Sequence, residues 1–200
     1  KKIRRIFLSD NIVIWIHQKG VLMEEIKRIK RELAYQGRIL NIYRDYMSLP
    51  NGHTAVWDYV EHKGAAAVVA VADDGKILMV RQYRNALERY TLELPAGAVN
   101  EVGEPKEICA ARELEEETGY RAESLEWLIN VNTTVAFCNE FIGIYLAEKL
   151  IPSKQHLDED EFLNVEAHEL DELVQMILDG RITDGKTIAA LLAYKVKRGR

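Results

Sequence analysis

The stretch GAVNEVGEPKEICAARELEEETGY, Gly97 to Tyr120, carries seven acidic residues, four of them between Glu113 and Glu117. Each carboxylate pair at i,i+4 costs a helix about 0.2–0.5 kcal/mol. Either this is a solvated acidic face, or something gathers there that offsets the repulsion. Pro105 suits a first helical turn and Gly119 the position just past a last one, which predicts a helix from about Pro105 to Thr118. On its wheel Ile108, Ala110, Ala111, Leu114 and Thr118 share one side, the expected core stripe, and Glu113, Glu116 and Glu117 share another. Arg112 flanks the acids and is placed to pair with Glu116. A strand ending Leu94-Pro95-Ala96-Gly97 runs straight into the loop, so backbone carbonyls lie close by. Clustered carboxylates plus a carbonyl make an all-oxygen set suited to Mg²⁺ or Mn²⁺, hard cations that keep waters and bind phosphate oxygens. The helix reads as a divalent-metal platform.

Working outward, AAAVVAVADDGKILMVRQYR (Ala65–Arg84) predicts a hairpin turning at Asp73-Asp74-Gly75, with a first arm apolar enough to be buried on both faces. GRILNIYRDYMSLPNGHTAVWDYVEH alternates about Pro50-Asn51-Gly52 and predicts an earlier hairpin. Strands are expected in TLELPAGAV, near Leu125–Asn132, at Phe141–Leu146 and in FLNVEAHEL, and two helices at Asp171–Leu178 and Thr183–Lys197. Near the start, Leu22, Ile26, Ile29 and Leu33 recur at helical spacing, so a short amphipathic helix is expected there after one or two short strands. The fold class is α+β: a mixed sheet with helices outside it, preceded by an antiparallel strand region. Two units are expected, an extension over 1–36 and a main domain over 37–200.

The 200 residues suffice for a sizeable core. A net charge of −5 argues against a nucleic-acid partner. Cys109 and Cys138 form neither a disulfide framework nor a metal pair, which suits a reducing cytoplasm. No apolar run approaches the roughly 20 residues of a membrane span, and KKIRRIFLSDNIVIWI lacks the features of a signal peptide.

RELEEETGY, Arg112 to Tyr120, resembles the second half of the Nudix box, R-E-U-x-E-E-x-G-U with U apolar, and Glu104 lies eight residues before Arg112 as the box requires. One residue is extra: Gly97 stands seven before Glu104 instead of six, an insertion expected to bulge away from the metal. VVAVADDGKILMVRQYR, LELPAG, LDEDEFLNV and DGRITDGKTIAALLAY are similar to the ADP-ribose pyrophosphatase branch, so that the likeness covers about Gly37 to Tyr194.

The resemblance implies an α/β/α sandwich and cleavage of a nucleoside-diphosphate sugar. For ADP-ribose the products are AMP and ribose 5-phosphate, with Mg²⁺ as cofactor and a homodimer whose N-terminal strands, 37–62, pair the subunits. It assigns Glu113, Glu117, Glu116 and the Ala96 carbonyl to the metal, with Arg112 orienting the glutamates. The loop LDEDE implies a mobile acidic residue acting as general base or extra ligand, Glu161 ahead of Glu159. Arg84 and Arg81 become candidates for phosphate or ribose, and Trp57 for stacking on the base, with Asp58 and His62 beside it. Val135 stands where this branch usually carries proline, and Ala136 where it carries glycine, which implies loose substrate selectivity. Two other readings stay open. One is a hydrolase of GDP-sugars or other nucleoside-diphosphate sugars. The other is a non-catalytic ADP-ribose sensor, for which a missing box glutamate and an attached DNA-binding domain are expected.

Overall fold

The apolar run Ala65–Val71 becomes a strand buried at every position, because helices cover the sheet on both sides of it. The computed structural model describes residues 25–157, 159 and 161–199, together with the backbone of 4–8 and 12–16. In chain order the elements are β1 (Arg4–Leu8), β2 (Ile12–Ile16), β3 (Lys27–Gln36), β4 (Asn41–Ser48), β5 (Thr54–Glu61), β6 (Ala65–Val71), β7 (Ile77–Arg84), β8 (Arg89–Glu93) and β9 (Ala96–Ala98). There follow α1 (Lys106–Thr118), β10 (Tyr120–Ala122), β11 (Leu125–Asn132), β12 (Phe141–Ala147), β13 (Leu150–Pro152), β14 (Leu163–His168), α2 (Leu170–Leu178) and α3 (Gly185–Arg198).

The main sheet is mixed, in the order β11-β12-β6-β7-β14, with β12 parallel to β6 and the other pairings antiparallel. Alternate residues of β6 point to two separate cores. Ala66, Val68 and Ala70 meet Cys109, Ala110 and Leu114 of α1, whereas Ala67 and Val69 meet a core shared with Leu173 of α2 and Leu191 of α3. This is the expected α/β/α sandwich. The feature that makes a cleft is the β6–β7 hairpin. Its arms pair only at Ala70↔Leu78 and Val71↔Ile77, then diverge, and β9 adds to β6 while β8 adds to β7.

The amphipathic helix expected over Leu22–Leu33 does not form: Lys27–Gln36 is a strand, and 22–24 lie outside the described residues. Tertiary pairing overrides the local pattern. β3 runs against β4 from Lys27↔Ser48 to Gln36↔Asn41, and β4 pairs in turn with β5. Arg31 of β3 donates twice to Asp45 of β4 (2.6 Å each) and stacks 3.7 Å above the Tyr59 ring of β5. The expected boundary at residue 36 therefore falls inside a hairpin. The remaining sheets are the small pairs β1-β2 and β10-β13.

The core stripe of α1 also differs from the expected one. Ala110, Leu114 and Thr118 are buried, but Ile108 is 58% exposed and Ala111 is exposed too. Cys109, Glu113 and Glu117 are buried in their place, because β9 runs along the acidic side of the helix. Leu114 is fully buried between α1 and β6. Leu114→Ala is expected to cost about 2–5 kcal/mol through lost burial and the cavity left behind. Urea denaturation with an unchanged m-value would measure it; a loss below about 1 kcal/mol would mean that the layer repacks.

Candidate active site

The site forms where α1 meets β9. Ala96 N–H donates to Glu117 Oε2 at 2.9 Å. Gly97 faces Glu113 so closely that a Cβ added there would lie 2.2 Å from the Glu113 carboxyl carbon. Arg112 Nη1 donates to Glu113 (2.6 Å) and to Glu116 one turn on (3.0 Å), and its Nη2 donates to the Ala98 carbonyl (3.1 Å). Glu104 accepts the Asn100 N–H at 2.7 Å and so closes the extra-residue loop. The bulge points outward, with Val102 84% exposed and Gly103 at φ 96°, and the helix beyond it is regular.

Burial pushes the Glu113 carboxyl up to about 7, Arg112 pulling against it and the charges of Glu116 and Glu161 adding to it. Burial likewise pushes Glu117 up to about 8, against the Ala96 N–H and with the charges of Glu113 and Glu161 adding. Glu161, exposed on the acidic loop, is therefore near enough to be felt by both acids. Among the described residues no three or more His, Cys, Asp or Glu side chains converge at metal-ligand spacing; Glu113 and Glu117 are instead held by Arg112 and Ala96 N–H. The residues nonetheless suit a hard divalent cation. Two buried carboxylates repel each other and a third, all donors are oxygen, and only a glycine leaves room beside Glu113. Glu113 and Glu117 would hold it, with Glu116 and Glu161 within the same electrostatic cluster.

A cleft of about 570 Å³ opens beside this cluster. Its walls come from Ala96–Ala98 of β9, Arg84 at the end of β7, Ile142 of β12, the start of α3 and His62. His62 Nδ1 accepts from Gly64 N (3.0 Å) and lies 3.3 Å from Glu140. Arg84 is the substrate candidate that the fold brings here. Arg81 is turned away into a forked pair with Glu166 of β14 and does not line the cleft. Trp57 and Asp58 line a different cavity of about 660 Å³, between β4–β5 and the loop residues Ala136 and Phe137, and Trp57 is 46% exposed there. Glu159 is an exposed turn residue.

Glu93, Asp184 and Lys186 escaped the sequence reading. Glu93 accepts two hydrogen bonds from Arg84 (2.7 Å each), one from Thr91 (2.7 Å) and one from Lys186. Burial alone would raise its carboxyl, but Arg84, Lys186 and Thr91 together hold it down at about 2. Asp184 caps α3 by accepting from Thr187 N (3.0 Å) and also accepts from Lys186 (2.9 Å). The signal for Glu93 was present: a lone acid between Leu92 and Leu94 in a strand with buried neighbours demands a cationic partner. Nothing local marks Lys186.

The two raised carboxyls fix a pH dependence. Their folded pKa values lie above the unfolded 4.5, so their contribution is fully present below about 4.5 and is lost as pH rises through 7 to 8. The metal-free protein is expected to lose melting temperature from these groups between about pH 5 and 9. Added Mg²⁺ is expected to stabilise more at pH 8.5 than at pH 6, because it displaces protons. A Mg²⁺-induced shift independent of pH, read by calorimetry in EDTA and in Mg²⁺, would contradict the assignment. Gly97→Ala should leave the fold intact and abolish that shift.

Comparison with known proteins places the chain in a family. The chain is 45% identical over 174 residues to the methanol dehydrogenase activator of Bacillus methanolicus, covering 86% of this chain and 93% of that protein. It is 40% identical over 175 residues to the ADP-ribose pyrophosphatase of Bacillus subtilis (strain 168), covering 86% and 94%. A crystal structure of an ADP compounds hydrolase shares the fold with a TM-score of 0.78 at 22% identity, over 88% of this chain and 95% of that one. The family model for the NUDIX domain matches residues 61–191, and the chain is a member of the NUDIX family of pyrophosphohydrolases.

Proposed function

We propose that the protein hydrolyses the diphosphate bond of ADP-ribose, giving AMP and ribose 5-phosphate, or of a related nucleoside-diphosphate sugar. The observation that carries this reading is the pair of buried carboxylates, Glu113 and Glu117, set against Ala96 and Gly97 of β9, which line a cleft together with Arg84. The name of the Bacillus subtilis relative supports the substrate class. Mg²⁺ is the proposed ion, with Mn²⁺ as a substitute, since both suit oxygen donors and phosphate. Bound there, the cation would neutralise diphosphate oxygens and lower the pKa of a water.

In this reading Arg112 holds Glu113 and Glu116 in place, and the open edge of Arg84 holds a phosphate oxygen. Glu161, exposed and within electrostatic reach of both buried acids, takes the proton of the attacking water when the acidic loop closes. Trp57 stacks on the base, with Asp58 beside it, after a second subunit brings the β3–β5 sheet to the cleft. A homodimer is therefore proposed, and the exposed Ile29, Leu33, Tyr35 and Val56 of that sheet suit such a contact. A cytoplasmic setting fits the free cysteines. No described helix is long and apolar enough to cross a membrane.

A second reading comes from the 45% identity to the methanol dehydrogenase activator: that the physiological effect is exerted on a dehydrogenase. Adding the chain to a methanol dehydrogenase assay, with and without Glu117→Gln, tests whether hydrolysis underlies any stimulation.

The deciding experiment is incubation with Mg²⁺ and ADP-ribose, ADP-glucose, GDP-mannose or UDP-glucose, with products resolved chromatographically. ADP-ribose is expected to be cleaved with a kcat/KM preference below about 10³-fold, roughly 4 kcal/mol, because the loop with Val135 and Ala136 is less constrained than one with proline and glycine. A larger preference would contradict that account of selectivity. Glu117→Gln is expected to lower turnover by at least about 10²-fold with the fold retained. Turnover within a few-fold of wild type would exclude Glu117 as a ligand.

A further inference from the structure

Glu93 is an anion, 2% exposed, beside a cleft proposed to bind an anionic substrate, so direct contact with that substrate is no explanation for it. Its oxygens are fully engaged. Oε1 accepts from Arg84 Nε and Thr91 Oγ1, and Oε2 from Arg84 Nη2 and Lys186 Nζ. The two cations come from different layers, Arg84 from the end of β7 and Lys186 from the first turn of α3, and both line the cleft. Replacing a buried ionic triad by apolar side chains is often neutral or stabilising, so stability alone is a weak reason for building one.

The arrangement has a directional consequence. Glu93 occupies the Nε–Nη2 edge of the Arg84 guanidinium and leaves the Nη1 edge for another acceptor, with 41% of the side chain open. Lys186 is held on both sides, by Glu93 and by the α3 cap Asp184, with only 11% of its side chain exposed. Neither long side chain is free to swing, so little rotamer entropy remains to be lost on binding. With two anions beside two cations the local charge is balanced, and the pair acts through aimed hydrogen bonds more than through bulk attraction.

We propose that Glu93 is a positioning residue that locks Arg84 and Lys186 into a two-cation clamp for the phosphate oxygens of the diphosphate. The proposal rests on the pyrophosphatase reading above for its substrate, but its physical content is phosphate binding.

The test uses Glu93→Gln, which keeps the shape and removes the charge. Steady-state kcat and KM are measured for ADP-ribose with Mg²⁺, and Kd for inorganic pyrophosphate by titration calorimetry, with the melting temperature as control. KM and the pyrophosphate Kd are expected to rise about 10–100-fold, as for a lost charge-assisted hydrogen bond, while kcat falls less than about threefold. Glu93→Asp is expected to recover part of the loss. Combining Arg84→Gln with Glu93→Gln is expected to cost less than the product of the two single effects, since Glu93 acts in part through Arg84. KM and Kd within about twofold of wild type, a loss confined to kcat, or additive effects would overturn the proposal. If Glu93→Gln does not fold, Lys186→Met, which leaves Glu93 paired with Arg84, decides: an unchanged pyrophosphate Kd overturns the clamp. A wild type that binds pyrophosphate but cleaves no nucleoside-diphosphate sugar sinks only the pyrophosphatase reading. A wild type that binds no pyrophosphate sinks the clamp.

Discussion

The site depends on one contact, the seating of the acidic side of α1 against the backbone of β9. Glu117 meets Ala96 N–H, and Glu113 packs where Gly97 has no side chain. Two carboxylates are thereby carried out of water, and burial raises both. A helix does this only if the opposite side is firmly anchored. Ala110 and Leu114 supply the anchor against β6, while Cys109 sits at the β9 side with its thiol on the Gly97 and Ala98 carbonyls. The same burial pushes that thiol up to about 11, which keeps it an inert packing residue.

The sheet supplies the space. A hairpin that stayed paired from turn to tip would leave no room between β6 and β7, yet these arms part after two residue pairs. β9 and β8 take up the freed edges, so that Ala96–Ala98 and Arg84 line one cleft. Glu93 and Thr187 then tie the divided sheet to α3. Glu93 binds Lys186, and Thr187 Oγ1 accepts the Leu94 N–H at 3.0 Å. Preorganised charge of this kind is what phosphate chemistry requires, because there is little covalent work for the protein to do.

The three-stranded sheet β3–β5 is held together differently. Its one buried side chain is Asp45, gripped by Arg31, and its cohesion comes from that ion pair, the tyrosine rings around it and the strand ladder. It touches the main domain where Val60 and the loop residues Phe137 and Asn139 exchange backbone hydrogen bonds. A sheet with so little apolar core, and with Ile29, Leu33, Tyr35 and Trp57 open to solvent, suits a role in contacts beyond its own chain.

Much of this is legible in the sequence. The apolar run of β6, the turns at Asp73-Asp74-Gly75 and Pro50-Asn51-Gly52, and the glycine after α1 are local signals, and each produced its element. The box spacing located the acids on α1, since a motif is a constraint within one helix. Properties that depend on a distant partner were not legible. KRIKREL has helical composition and became a strand because Asp45 and Tyr59 were there to receive Arg31. The wheel put Glu113 and Glu117 opposite the core, yet they are buried because β9 crosses that side of the helix. Arg81 and Arg84 sit three residues apart in one strand, and only the pairing of neighbouring strands sends one to Glu166 and the other to the cleft. The sequence by itself determined the elements that carry their own turn or capping signals, and which charged groups stand on them. Which charged groups meet was decided by the tertiary structure, because burial and ion pairing are set by residues remote along the chain.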